Sequence, residues 1–190
     1  MRYTAWTAGV AIDSPVYLDA NVLVGATVTR HQLYTKAAQL IGELLANQAR
    51  ILVSLLAVEE SLWALARLSY YELSNQRRSD AHFSQSVYER WRERIFQAHG
   101  ARLEAIGVML RDWSNAGAAV EVVPKTDSDF LLVSDLTPKY MQRYKLTPAD
   151  AAHLALAEVY ATSFVTADSD FEDVAREAPS QTLAVVHLVP

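Results

Sequence analysis

The sequence predicts an α/β protein with a central parallel sheet of about five strands and helices on both faces. Three observations predict it. Short apolar runs rich in β-branched residues recur at 16–18, 51–53, 119–123, 164–166 and 183–189. Longer segments whose apolar residues follow a helical period lie between them. Strands that alternate with helices in this way build βαβ units, whose parallel strands are covered on both faces. The third observation is composition: 190 residues, 51% hydrophobic and 21% charged. That suits one ordinary domain with a real core and excludes a disordered chain. No linker, low-complexity tract or long repeat interrupts it, so residues 1–190 are expected to form a single domain.

Taken in order, Val16-Tyr17-Leu18 is a short apolar strand that stops at the polar break Asp19-Ala20-Asn21. Residues 30–48 follow a helical period, with Leu33, Ala37, Leu40, Leu44 and Leu45 on one side. Ile51-Leu52-Val53 is the second strand, and 56–74 is helical through Leu62, Leu65 and Leu68. A long helical stretch is expected over 79–114, then a third strand at 119–123 that Pro124 stops. A helix over 146–160, the strand Phe164-Val165-Thr166 and a last strand over 183–189 complete the pattern. One echo stands out: Thr126-Asp127-Ser128-Asp129-Phe130 resembles Thr166-Ala167-Asp168-Ser169-Asp170-Phe171. It carries meaning only if both sit at strand ends.

Charge and composition narrow the function. With 17 Lys+Arg against 22 Asp+Glu, the formal charge is −5, which argues against a protein held to nucleic acid by bulk positive charge. Cysteine is absent, so disulfide scaffolds, thiolate metal sites and cysteine nucleophiles are excluded. The opening Met1-Arg2-Tyr3-Thr4-Ala5-Trp6 lacks the clean apolar segment of a secretory signal. Nor does any run approach the roughly 18 apolar residues of a membrane span. A cytoplasmic protein without membrane contact is expected.

The acids then point to chemistry. Asp19 ends the first strand, and Asp168 follows the fourth strand by two residues. Asp150 lies in the first turn of a helix, and Glu60 lies early in the helix after the second strand. All four map to the edge at the carboxyl ends of the strands, where ligands of open α/β sheets bind. Carboxylates that converge there repel one another and need a positive charge between them. An all-oxygen set without Cys or paired His favours a hard cation, Mg²⁺ or Mn²⁺. Such an ion suits phosphodiester hydrolysis, because it polarises phosphoryl oxygens and lowers the pKa of water.

Each acid also has a plainer reading. Asp19 suits a turn after a strand. Thr147-Pro148-Ala149-Asp150 matches a helix start with a Thr cap, Pro first and an acid third. Glu60 adjoins Glu59 and could be solvated, and Asp168 and Asp170 could cap a last helix. Their joint placement at one edge carries the weight.

Four segments resemble the motifs of the PIN-domain ribonucleases, a family that includes the VapC-like toxins. They are Val16-Tyr17-Leu18-Asp19-Ala20-Asn21-Val22-Leu23, Val53-Ser54-Leu55-Leu56-Ala57-Val58-Glu59-Glu60, Asp150-Ala151-Ala152-His153-Leu154-Ala155-Leu156-Ala157 and Phe164-Val165-Thr166-Ala167-Asp168-Ser169-Asp170-Phe171. They fall in the family's order and cover roughly 16–68 and 146–189. The resemblance implies a three-layer α/β/α sandwich and a metal-dependent ribonuclease site. Its catalytic and metal-binding acids would be Asp19, Glu60, Asp150 and Asp168, with Asp170 as an auxiliary metal ligand. Ser54, six residues before Glu60, selects it over Glu59, and Asn21 and Thr166 would orient the acids. Ala20 departs from the pattern, standing where the family commonly has Thr or Ser. The long separation of Glu60 and Asp150 implies a helical insertion at about 70–118.

That insertion is arginine-biased. Residues 61–115 hold Arg67, Arg77, Arg78, Arg90, Arg92, Arg94, Arg102 and Arg111 against six acids, a net of +2 that leaves −7 elsewhere. Arginines there could hold RNA phosphates, and Tyr70, Tyr71, Phe83, Tyr88 and Trp91 could stack on unpaired bases. Equally, the charges read as a salt-bridged helix face and the aromatics as packing. Of the histidines, His153 follows Asp150 by three and falls near the site, where packing or an outer hydrogen bond suits it.

Two function classes follow. The first is a metal-dependent endoribonuclease, the toxin of a toxin–antitoxin pair, with an RNA substrate, a cognate antitoxin and a homodimeric state implied by resemblance. The alternative is a catalytically silent PIN-like module that binds RNA or protein. A haloacid-type phosphatase is disfavoured, since it would need an acid where Asn21 stands.

Overall fold

Six short strands line up in one parallel sheet in the computed structural model, which describes residues 1–75, 82–178 and 182–189. In chain order the elements are β1 (Arg2–Ala5), β2 (Val16–Leu18), α1 (Ala20–Thr27), α2 (Tyr34–Ala46), β3 (Arg50–Ser54), α3 (Leu55–Ser74) and α4 (Gln85–Asn115). They continue with β4 (Ala119–Val123), α5 (Asp127–Tyr144), α6 (Pro148–Tyr160), β5 (Ser163–Thr166), α7 (Asp170–Glu177) and β6 (Ala184–His187). The sheet order is β1-β6-β5-β2-β3-β4. Every neighbouring pair is parallel, in registers such as Tyr17 opposite both Leu52 and Phe164.

Period-two alternation along the strands splits the core in two. Val16, Leu18, Ile51, Val53, Val165 and Val186 face one cluster, which α1 to α4 cover with Leu23, Leu40, Leu65 and Ile106. Tyr17, Leu52, Phe164 and Val185 face the other, covered by α5 to α7 with Tyr140, Leu154, Phe171 and Val174. This is the expected α/β/α arrangement with both sheet faces buried.

Several expectations are corrected. The sheet of about five strands gains one at its edge, where Arg2–Ala5 pairs with β6 to make six. The break after Asp19 is a helix, α1, which buries Val22 and Leu23. Helix α5 was not predicted: it contains Pro138, buries only Val133 and Tyr140, and exposes Phe130, Leu131 and Leu132. Its start is nonetheless written in the sequence, since Thr126 Oγ1 accepts from Asp129 N–H and two acids occupy the first turn. Both echoing segments run into the helix that follows a strand: 126–130 caps and opens α5 three residues after β4, and 166–171 runs from the last residue of β5 into α7. The long helix is two helices joined at His99, whose φ of −136° breaks the helical run. Its expected start near 79 lies outside the described residues, as do Arg77, Arg78 and Asp80.

The direction of the chain relative to β2 reverses once. From β2 it proceeds outward to β3 and β4, then returns across the sheet to β5 on the other side of β2. The carboxyl ends of β2, β3 and β5 thus flank the topological switch point, where open sheets leave a crevice.

Candidate metal centre

Asp19 stands at that crevice, directly after β2. The residue is 6% exposed, and both of its carboxylate oxygens accept hydrogen bonds. Oδ1 accepts from Ala20 N–H at 2.6 Å. Oδ2 accepts from Asn21 Nδ2 at 2.7 Å and from the Thr166 hydroxyl at 2.6 Å. Thr166 Oγ1 in turn accepts from Asp168 N–H at 3.0 Å, and Asn21 Oδ1 accepts from Ala167 N–H at 2.9 Å. The ends of β2 and β5 are thereby stitched together around one carboxylate.

Glu60 arrives from the second turn of α3. Ser54 starts that helix as its cap, accepting from Ala57 N–H at 3.0 Å. Glu60 is half-buried and turned inward, whereas Glu59 is exposed. Asp150 arrives from the first turn of α6, where Thr147 is the cap: Asp150 N–H donates to Thr147 Oγ1 at 3.3 Å, and the Thr147 hydroxyl donates to Asp150 Oδ2 at 2.5 Å. So the capping role and a place at the site coexist in Asp150. Asp168 Oδ1 accepts from Asp170 N–H at 2.9 Å at the start of α7.

Asp19, Glu60, Asp150 and Asp168 line one cleft of about 320 Å³, together with Asn21, His31 and Arg67. With His153 behind the cleft and Asp170 beside it, the acids form two groups. Donor atoms of Asp19, Glu60 and His153 lie within 4.8 Å of one another, and so do those of Asp150, Asp168 and Asp170. A larger, mainly apolar groove of about 790 Å³ adjoins the cleft and shares Glu60 and Arg67 with it. Leu62, Trp63, Tyr88, Phe96 and Leu103 contribute to its wall.

The electrostatics record the crowding. Burial raises the Asp19 carboxyl above its ordinary range, and the charge of Glu60 adds to this; His153, Thr166 and Ala20 N–H only partly offset it. Asp170 is raised first by the charge of Asp168, then by burial, Asp150 and Asp173. For His153, burial pulls the imidazole down, but the Glu60 hydrogen bond and the charges of Asp19, Glu60 and Asp150 outweigh it and the net shift is upward. A cation among these groups would relieve the repulsion between neighbouring carboxylates. The donors are carboxylate oxygens with one imidazole, a set that fits a hard divalent ion such as Mg²⁺ or Mn²⁺.

Some expected partners take other roles. Trp63, Tyr70, Phe83, Tyr88 and Trp91 pack against each other between α3 and α4, with ring centroids 5.0–6.4 Å apart. The rings thus pack as the plainer reading expects, and Trp63 and Tyr88 also line the adjoining groove. Arg102 pairs with Glu72 at 2.9 Å, and Arg94 lies over Trp91. Tyr17 was missed at the sequence level. Its position two residues before Asp19 puts both on one side of the strand, which is the available signal.

A parallel sheet with an acidic crevice at its switch point defines the class: an α/β/α protein whose clustered acids could hold a metal ion. The family model for the PIN domain matches residues 16–177, and the chain belongs to that family. Among solved structures, a chain in the crystal structure of VapBC2 from Rickettsia felis bound to a DNA fragment from their promoter is similar, with 14% identity over 90% of this chain and 97% of that one, at a TM-score of 0.48. No curated protein matches this sequence. Among the described residues, no helix is long and apolar enough to cross a membrane.

Proposed function

We propose that the protein is a divalent-metal-dependent endoribonuclease and acts as the toxin of a toxin–antitoxin pair. The observation that carries this reading is the convergence of Asp19, Glu60, Asp150 and Asp168 on one cleft at the switch point of a PIN-family sheet. Asp19, Glu60, Asp150 and Asp168 would hold one or two Mg²⁺ or Mn²⁺ ions, with Asp170 assisting. When bound, such an ion supplies Lewis acidity at the phosphoryl group and makes water more acidic.

The chain's own groups prepare that chemistry. Three donors fix both oxygens of Asp19, so its orientation does not have to be organised during the reaction. The caps Ser54 and Thr147 hold the helix starts that carry Glu60 and Asp150. Arg67, exposed on α3 two turns after Glu60, brings positive charge to the cleft wall where an RNA phosphate would enter. Asn21 and Thr166 keep β2 and β5 in register around the acids. The same reading takes residues 1–190 as one PIN-like domain with the helices at about 70–118 as its insertion. It also takes the protein as a cytoplasmic homodimer, silenced by a cognate antitoxin whose basic side chain enters the acidic cleft.

Cleavage of single-stranded RNA in Mg²⁺ or Mn²⁺ tests the proposal. Wild type should yield 5′-phosphate and 3′-hydroxyl ends, and Asp19→Asn and Asp150→Asn should each lose at least about a hundredfold in rate, in line with removal of a principal electrostatic group. Variants that cut as fast as wild type would end the reading, and a wild type that neither cuts RNA nor binds Mn²⁺ would favour the silent module.

A further inference from the structure

Behind the acidic cleft lies a buried hydrogen-bonded chain that lines no part of it. His153, on α6 one turn after Asp150, is 1% exposed; Tyr17 is 0% and Ser54 2% exposed. His153 Nε2 is 2.7 Å from Glu60 Oε2, and His153 Nδ1 is 2.7 Å from the Tyr17 hydroxyl. The Tyr17 hydroxyl is also 2.7 Å from Ser54 Oγ. One chain therefore joins β2, the β3–α3 junction and α6, the three segments that deliver Asp19, Glu60 and Asp150.

The direction of this chain is set at its end. An ionised carboxylate only accepts, so Nε2 must carry a hydrogen and donate it to Glu60. In the neutral ring Nδ1 then accepts from the Tyr17 hydroxyl, and Tyr17 oxygen accepts from Ser54. A glutamate on a helix has three rotatable side-chain bonds, and ordering it costs rotamer entropy. A rigid donor already in place removes that cost before any ligand arrives.

We propose that His153 is a positioning residue of the cleft: its Nε2–H holds the Glu60 carboxylate in its cation-facing orientation, and the Tyr17 hydroxyl fixes the imidazole. The inference rests on the reading of Glu60 as a metal-binding acid. The competing role is direct ligation by Nε2, which lies 3.7 Å from Asp19 Oδ1. Against it stand the hydrogen-bond distance to Glu60, which needs the Nε2 hydrogen, and the preference of Mg²⁺ for oxygen.

Four measurements on the full chain test it. Long-range ¹H–¹⁵N NMR of the metal-free protein should show a protonated Nε2 on His153; a bare Nε2 overturns the proposal. Mn²⁺ titration should show His153→Ala weakened by about 10–100-fold, the usual cost of losing a group behind a metal ligand. His153→Gln, which keeps a side-chain N–H, should recover most of that affinity, and Tyr17→Phe should lose several-fold with its packing intact. RNA KM should stay within about twofold while kcat falls. Unchanged Mn²⁺ affinity in Tyr17→Phe and in folded His153→Ala overturns the proposal, as does electron spin-echo modulation from an imidazole nitrogen bound directly to Mn²⁺. If Asp19→Asn and Asp150→Asn also bind Mn²⁺ like wild type, it is the nuclease reading that fails; if they lose binding and the His153 and Tyr17 variants do not, only the positioning role fails.

Discussion

Thr166 donates its hydroxyl to Asp19 Oδ2 at 2.6 Å, joining the last residue of β5 to the first residue after β2 across 147 positions of sequence. Thr166 is fully buried and also accepts from Asp168 N–H. This one hydroxyl thus orients two of the four cleft acids.

Replacing it with an isosteric apolar group should be costly. Thr166→Val removes a hydrogen bond to a buried charged group, a loss of about 2 kcal/mol, and should lower Tm by roughly 4–8 °C in a chain of this size. Thr166→Ser should retain most of the stability. Calorimetry that finds Val, Ser and wild type melting together would contradict the assigned donor role.

The neighbouring glutamates should separate cleanly. Glu60 lines the acidic cleft and accepts from His153, while Glu59 is exposed and borders only the adjoining groove. Mn²⁺ at about a hundred times its Kd should stabilise wild type and Glu59→Gln by roughly 2.7 kcal/mol. Glu60→Gln should lose most of that gain. Equal metal-induced shifts in the two variants, read by thermal melting, would count against the site.

Stability in acid should depend on Glu121. Hydrogen bonds from Arg50 and Lys125 hold its carboxyl below the ordinary range, with Arg50 Nε 2.6 Å from Oε1. The folded pKa is depressed, so the contribution is present above the unfolded value of about 4.3 and is lost as pH falls through the lower folded value. The Tm difference between wild type and Glu121→Gln should therefore be constant above about pH 5 and close toward pH 3. A difference that is flat over the whole range would show that the Arg50–Glu121–Lys125 cluster, which ties β3 to β4, contributes nothing.

Much of the architecture is legible in local sequence. The runs around Tyr17, Leu52, Phe164 and Val185 are strands because β-branched and aromatic residues fit a pleated surface buried on both faces. Ser54 and Thr147 mark helix starts because their side-chain oxygens satisfy N–H groups that a helix leaves free. Where the local signal is weak, reading stops short. Helix α5 has Pro138 inside it and three exposed apolar residues in a row, so no single face declares itself. β1 is four residues long and gains its place only by pairing with β6, some 180 positions away. His99 interrupts α4 directly before Gly100, and a lone glycine inside a helical pattern is tolerated as often as it marks a kink, so it does not declare the break.

What the chain's own residues determined is which segments are strands and helices and which acids stand at their ends, because capping, turn formation and periodicity act over a few residues. Only the tertiary structure decided that β5 lies beside β2 and that Tyr17 meets His153. Those outcomes depend on sheet order and on the packing of α3 and α6 over it. Contacts between residues 93 or 136 positions apart, such as His153 with Glu60 and with Tyr17, leave no periodic trace in sequence.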